Sequence, residues 1–378
     1  MPRFQTRGHA RPLAFVERAI ESQRPPHALL LSGPAGVGKT TLALDLAAGL
    51  LCLADRSSQR PCGTCAACRK VEHGNHPDMH RLAPQGAGQQ VRIGQVQALG
   101  AELALLPLEG RFRLAVVEQA QRLNIDAQNA LLKTLEEPPA AVCIVLAVDD
   151  TAALLPTVVS RCARLRLGPV APEVIADLLQ ERGAADASRA AQIARLAGGR
   201  PGSALALAAN PEAVLTRARV ARTLLALLDE DRRGRLAAAP ELLDDGAAMA
   251  GADDLAGMDD TPQPAAGEHQ SQLEQPAARS RRHSPAERRA AVARLIAVWR
   301  DVARDLAFAA RGAAAELQQR ELFDELSSTG ERVEAASIAR FLARLEALGR
   351  AIEAYANPEL LLDTLLLEWP AGRPASPA

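Results

Sequence analysis

Short apolar runs and helix-period stretches alternate through the first half of the chain. Residues 28–31 and 142–148 are continuous apolar runs of strand length, and 112–117 is one interrupted only by Arg113, the pattern of strands covered on both faces. Between them, residues 40–51, 93–105 and 127–135 repeat apolar positions at helical spacing, the last stopped by Glu136-Glu137-Pro138-Pro139. Strand alternating with helix predicts a parallel sheet flanked by helices. After Arg166 the strand signal ends. Residues 172–182 and 187–209 then carry helix-period positions, broken by Gly198-Gly199-Arg200-Pro201-Gly202, and predict a small helical lid.

From 244 to 285 the chain turns poor in apolar residues and rich in Ala, Gly, Pro, Asp and Gln. Such a segment cannot offset its chain entropy by burial and reads as a flexible insertion. Its Arg279, Arg281 and Arg282 fit a solvated linker or an interaction tail. Beyond it, Ile338, Phe341, Leu342, Leu345, Leu348, Ile352 and Tyr355 recur at three- and four-residue steps, one apolar stripe on a long helix. Asn357-Pro358 turns the chain into a last Leu-rich helix ending near Trp369.

Length makes this chain a multidomain one: 378 residues exceed a single compact core. Apolar residues are 48% but aromatics 2%, so the interior must be packed from Ala, Leu, Val and Ile, which favours helices. A net charge of -1 gives no bulk reason to bind DNA or an anionic membrane, so any such contact is local. No apolar run approaches the roughly 20 residues of a membrane span, and residues 1–10 lack a signal-peptide core. A soluble, cytoplasmic protein is expected. In a reducing compartment the cysteines are not expected to form structural disulfides, and Cys52, Cys62, Cys65 and Cys68 crowd together.

Gly33-Pro34-Ala35-Gly36-Val37-Gly38-Lys39-Thr40 fits G-x-x-x-x-G-K-[ST] between a strand and a helix, the Walker A context. Gly33, Gly36 and Gly38 let backbone N–H groups turn towards phosphates, and the helix start adds its positive end. Lys39 would pair with the β and γ phosphates of ATP, and Thr40, followed by Thr41, would hold Mg²⁺. The bland alternative is a Gly-rich turn without ligand.

Cys52, Cys62, Cys65 and Cys68 form C-x9-C-x2-C-x2-C, in which each C-x2-C turn can present two thiolates to one tetrahedral ion. Four sulfurs close the shell, so a bound Zn²⁺ would be structural rather than catalytic. A redox C-x2-C pair, or exchange of one ligand for His73, His76 or His80, are the alternatives. Cys143 lies in an apolar strand and reads as a small core residue.

The Walker loop, the cysteine insertion, Asn129-Ala130-Leu131-Leu132-Lys133-Thr134-Leu135-Glu136-Glu137-Pro138-Pro139 and Ser160-Arg161-Cys162 together resemble bacterial DNA polymerase III clamp-loader subunits of the AAA+ class. The resemblance spans about residues 10–210. It implies an α/β AAA+ P-loop core at 1–167 with the cysteine module at 52–68, and a helical lid at 168–210. It also implies an all-α oligomerisation collar at 211–243 and 286–378; the flexible insertion at 244–285 has no counterpart in the family. It further implies contacts with gamma/tau and delta clamp-loader subunits, an indirect or weak one with the sliding clamp, and one with primer-template DNA.

Two kinds of subunit in that family share these motifs, the gamma/tau motor and delta-prime. The family's Walker B pair falls on Glu118 and Gln119. Glu118 can help hold Mg²⁺, but Gln119 stands where motors carry the carboxylate that takes the attacking water's proton. The sensor 1 position falls on Asp149, a negative charge near the γ-phosphate, and the sensor 2 arginine on Gly202, with Arg200 nearby. These departures resemble delta-prime: no robust ATPase of its own, with ATP bound weakly or structurally. By the same resemblance Arg161 is an arginine finger reaching a neighbouring subunit's ATP; the bland reading of Arg161 is a salt-bridged surface residue.

Overall fold

The computed structural model describes residues 3–84, 90–249, 284–313, 317–353 and 356–372. Most of the segment expected to be an insertion, and Tyr355, lie outside the described residues. The chain divides into two compact units, the first running from Met1 to Ala204.

The first unit is built on five parallel strands: β1 (Ala28–Ser32), β2 (Met79–Leu82), β3 (Arg113–Val117), β4 (Val142–Val148) and β5 (Ala163–Arg166), in the order β2-β3-β4-β1-β5. Side chains on the inner strands alternate between two cores. Leu29, Leu31, Leu114, Val116, Cys143 and Val145 join one core. Ala28, Leu30, Ala115, Val117, Ile144 and Leu146 join the other. Burial on both faces is why these strands, apart from Arg113 at the start of β3, are apolar at successive positions rather than alternating.

Helices α1 (Ala10–Ser22) and α2 (Lys39–Leu51) supply Val16, Ile20, Leu42, Leu46 and Leu50 to the first core. Ahead of β2, α3 (Ala66–Glu72) follows the cysteine cluster. On the opposite face α4 (Ile93–Leu103) and α5 (Ile125–Glu136) supply Val96, Leu99, Leu103, Leu131 and Leu135. Asn124 caps α5 by accepting from the Ala127 N–H at 2.8 Å, which satisfies a helix-terminal donor. The short α6 (Pro156–Val159) leads into β5, and α7 (Pro172–Glu181), α8 (Ala187–Leu196) and α9 (Pro201–Ala209) complete the run. The Gly198-Gly199 break lies between α8 and α9, with both glycines at positive φ.

Strands β2 and β5 were not among the sequence-derived strands. They are the sheet's two edges, and Arg81, Arg164 and Arg166 interrupt their apolar pattern. An edge strand need not be apolar on both faces.

The described secondary-structure elements of the second unit are all helices. It holds α10 (Pro211–Ala226), α11 (Arg232–Ala237), α12 (Ala239–Ala248), α13 (Pro285–Ala309), α14 (Phe323–Gly330), α15 (Ala335–Glu353) and α16 (Pro358–Glu368). Helix α12 reaches Ala248, so the first positions of the segment read as an insertion are helical. The expected stripe on α15 is buried at Ile338, Phe341, Leu345, Leu348 and Ile352. It shares a core with Trp299 of α13, and the Trp369 ring meets Phe341 edge-on at 4.8 Å. Trp369 Nε1 donates to the Leu224 carbonyl at 2.9 Å, so the buried indole leaves no donor unpaired. Asn357 accepts from the Glu359 and Leu360 N–H groups and starts α16 at Pro358.

Candidate functional site

In this parallel sheet the loops after β1, β3 and β4 leave the same strand edge, which is where open α/β sheets bind ligands. Strand β4 lies beside β1 with Ser32 opposite Val148, and β3 lies beside β4. The phosphate loop, Glu118-Gln119 and Asp149 therefore emerge side by side.

The loop takes its shape from its glycines. Gly33, Gly36 and Gly38 have φ of 152°, 75° and 104°, a region side chains disfavour. At Gly33 an added Cβ would stand 2.2 Å from the Leu167 carbonyl oxygen. Lys39 opens α2 and is buried. Thr40 and Thr41 follow in the first helical turn, both half-buried. Behind the loop, His9 Nε2 lies 2.9 Å from the Val37 carbonyl oxygen.

The ammonium of Lys39 donates to the carbonyls of Gly33 at 2.7 Å and Pro34 at 2.8 Å, and to Asp149 Oδ1 at 2.6 Å. Its three N–H donors are thereby used. Asp149 is held in turn by Gln121, whose Nε2 donates to Oδ2 at 2.7 Å and whose Oε1 accepts from the Asp149 N–H at 3.3 Å. The second acidic position is also paired: Glu118 Oε1 accepts from Arg81 Nε at 2.7 Å. Gln119 has φ 47° and sits directly after Glu118 at the N-cap of a short 3-10 turn.

The start of α9 meets the phosphate loop. The Gly202 N–H donates to the Gly36 carbonyl at 2.8 Å. An added Cβ at Gly202 would stand 3.1 Å from that oxygen and 3.2 Å from Gly36 Cα. A longer side chain at 202 is admitted only if the two backbones part. Arg200 Nε donates to the Ala197 carbonyl at 2.9 Å, within its own lid segment.

Cys52, Cys62, Cys65 and Cys68 converge, with their sulfurs within 4.8 Å of one another. The Cys52–Cys65 and Cys62–Cys68 pairs are 4.0 Å apart. Zinc–sulfur bonds of about 2.3 Å in a tetrahedron put sulfurs roughly 3.8 Å apart, so the four thiols fit one metal ion. Backbone N–H groups point at the sulfurs, from Ala54 to Cys52, Cys65 to Cys62 and Cys68 to Cys65. Burial works to raise the Cys62 thiol, but donors from Thr64 and Cys65 outweigh it and bring the group to about 6. Burial drives Cys52 and Cys68 upward. His73 Nδ1 donates to the Arg69 carbonyl oxygen of its own helix at 2.6 Å, and His76 Nδ1 accepts from the Asp78 N–H. Cys143 is buried, its thiol pushed up to about 12 by desolvation.

Arg161 follows α6. One guanidinium nitrogen donates to the Thr157 carbonyl at 2.9 Å and the other lies 2.7 Å from Glu136 Oε1 at the end of α5. Its side chain is 35% exposed. The sequence carries no signal that Gln121, Arg81 and Glu136 are partners of these groups. Arg81 lay in an unread strand, and the other two have no signal outside the fold.

Residues 8–171 match a family described as DNA polymerase III, delta subunit. The DNA polymerase III subunit delta' of Bacillus subtilis is 37% identical over 172 residues, covering 46% of this chain and 51% of that one. The corresponding subunit of Pseudomonas aeruginosa is 42% identical over 144 residues, 36% of this chain and 42% of that one. The subunit tau of Salmonella typhimurium is 34% identical over 235 residues, 60% of this chain and 36% of that one. The chain thus spans about half, or less, of the length of these relatives. No described helix is long and apolar enough to cross a membrane.

Proposed function

From the kinship of residues 8–171 with DNA polymerase III clamp-loader subunits, we propose that this chain is a delta-prime-like stator. It assembles with gamma/tau and delta subunits, helps load the sliding clamp on primed DNA, and lends Arg161 to a neighbour's ATP site. The observation that carries this reading is the contrast between its own nucleotide site and its finger. Lys39 is engaged by Asp149, Glu118 by Arg81, and Gln119 replaces the proton-accepting carboxylate. A glutamine can orient a water but cannot take its proton. Arg161 keeps a partly exposed side chain in the junction between α6 and β5. Cys52, Cys62, Cys65 and Cys68 would hold a zinc ion that would tie down the excursion between α2 and α3, a structural role because four sulfurs would leave no coordination position for water.

The phosphate loop binds nucleotide without turning it over. A gamma/tau-like motor is the second reading, favoured by the intact Gly33 to Thr40 loop. The test is a loader reconstituted with the Arg161→Ala chain. Trans-acting arginine fingers contribute about 10³- to 10⁵-fold at the site they serve, so ATP hydrolysis by the assembled loader falls while assembly is preserved. Unchanged hydrolysis in that complex removes the finger role.

A further inference from the structure

We propose that Asp149 acts as a resident substitute for the terminal phosphate of a nucleotide, so that the loop takes a nucleoside diphosphate in preference to a triphosphate. The inference rests on the nucleotide-binding part of the preceding reading and specifies its ligand. Lys39 has three donors, given to Gly33, Pro34 and Asp149. A phosphate can reach the ammonium only by displacing one of them.

The acceptors differ in what it costs to displace them. The Gly33 and Pro34 carbonyls belong to the loop that wraps the ligand, and they are neutral. Asp149 is charged, so its bond to Lys39 is the stronger kind. It is also fixed from behind, through Gln121 at both Oδ2 and the backbone N–H. The register of β1 with β4, with Ser32 opposite Val148, sets the backbone of Asp149 beside the loop. A diphosphate can take the places of the carbonyls and leave the Lys39–Asp149 pair standing. A triphosphate must bring its last phosphate to the same ammonium, against the fixed carboxylate. Like charges held a few ångströms apart repel, and the 40% exposure of the Asp149 side chain moderates the effect without removing it.

The experiment measures dissociation constants of Mg-ADP and Mg-ATP by calorimetry on the full chain, its Asp149→Asn variant and, as a second uncharged replacement, Asp149→Ser. Folding of each is checked by thermal unfolding. The expected result is that the ATP-to-ADP ratio of dissociation constants falls about tenfold in both variants, equivalent to about 1.4 kcal/mol. Adding beryllium fluoride to bound ADP tightens retention in Asp149→Asn and not in the natural chain. An unchanged ratio in the variants overturns the role of Asp149 while leaving nucleotide binding intact. Absence of binding by all three proteins overturns both this inference and the nucleotide-binding reading.

Discussion

Arg161 Nη2 lies 2.7 Å from Glu136 Oε1, joining the cation after α6 to the last residue of α5. Glu136 belongs to the Leu135-Glu136-Glu137-Pro138-Pro139 run that stops α5, and Arg161 to the Ser160-Arg161-Cys162 run, so two of the motifs that carry the family resemblance meet in space. The pair is half-exposed on both sides and contributes little to stability, typically under about 1 kcal/mol. Its consequence is orientation of the guanidinium.

Glu136→Gln therefore leaves thermal stability almost unchanged. The Thr157 carbonyl still holds one guanidinium nitrogen, so hydrolysis by a reconstituted loader declines less with this variant than with Arg161→Ala. Steady-state ATPase assays of the two complexes side by side check the order. A Glu136→Gln loss as deep as that of Arg161→Ala contradicts a mere orienting role for Glu136.

Elemental analysis of the purified chain is expected to find about one zinc ion per molecule, and Cys65→Ser to lose it. Chelation of the natural protein lowers its melting temperature, because structural zinc contributes directly to folding free energy. A chain free of metal and indifferent to chelator removes the zinc assignment.

Asp78 is fully buried and accepts N–H bonds from Leu108 at 2.6 Å, Glu109 at 2.8 Å and Gly110 at 2.7 Å. Burial pushes its carboxyl up, but these bonds outweigh it and hold the group below its ordinary value of 3.8. A depressed carboxyl stabilises the fold fully above the unfolded value and loses that contribution as pH falls through the folded value. Asp78→Asn thus costs roughly 2–3 kcal/mol at neutral pH, since one acceptor becomes a donor facing N–H groups. The difference from the natural protein narrows as pH drops below 3.8. Urea unfolding at neutral pH and in acid measures both values; a gap that widens in acid contradicts the assignment.

How much of this was readable from the chain depended on where each residue sits. Strands β1, β3 and β4 are covered on both faces, so apart from Arg113 at the start of β3 their apolar runs are unbroken and easily seen. The edge strands β2 and β5 carry Arg81, Arg164 and Arg166 and give no such signal. The four cysteines were legible because their spacing is itself the chemistry. For Asp149 the sequence yielded its charge and its position near a terminal phosphate, but not its partner: the pair with Lys39 requires β4 beside β1, an adjacency between segments about a hundred residues apart. The same holds for Arg81 with Glu118 and for Glu136 with Arg161. Gly202 was read as a missing cation; the structure adds that its backbone approaches Gly36 too closely for a larger residue without a shift.

That this chain performs no chemistry on its own nucleotide is measured by ATP turnover of the isolated chain with Mg²⁺ and primed DNA, against a Lys39→Ala control. Turnover no greater than that of the control is expected, with or without DNA. DNA-stimulated hydrolysis that disappears in Lys39→Ala would contradict it and establish the chain as a motor.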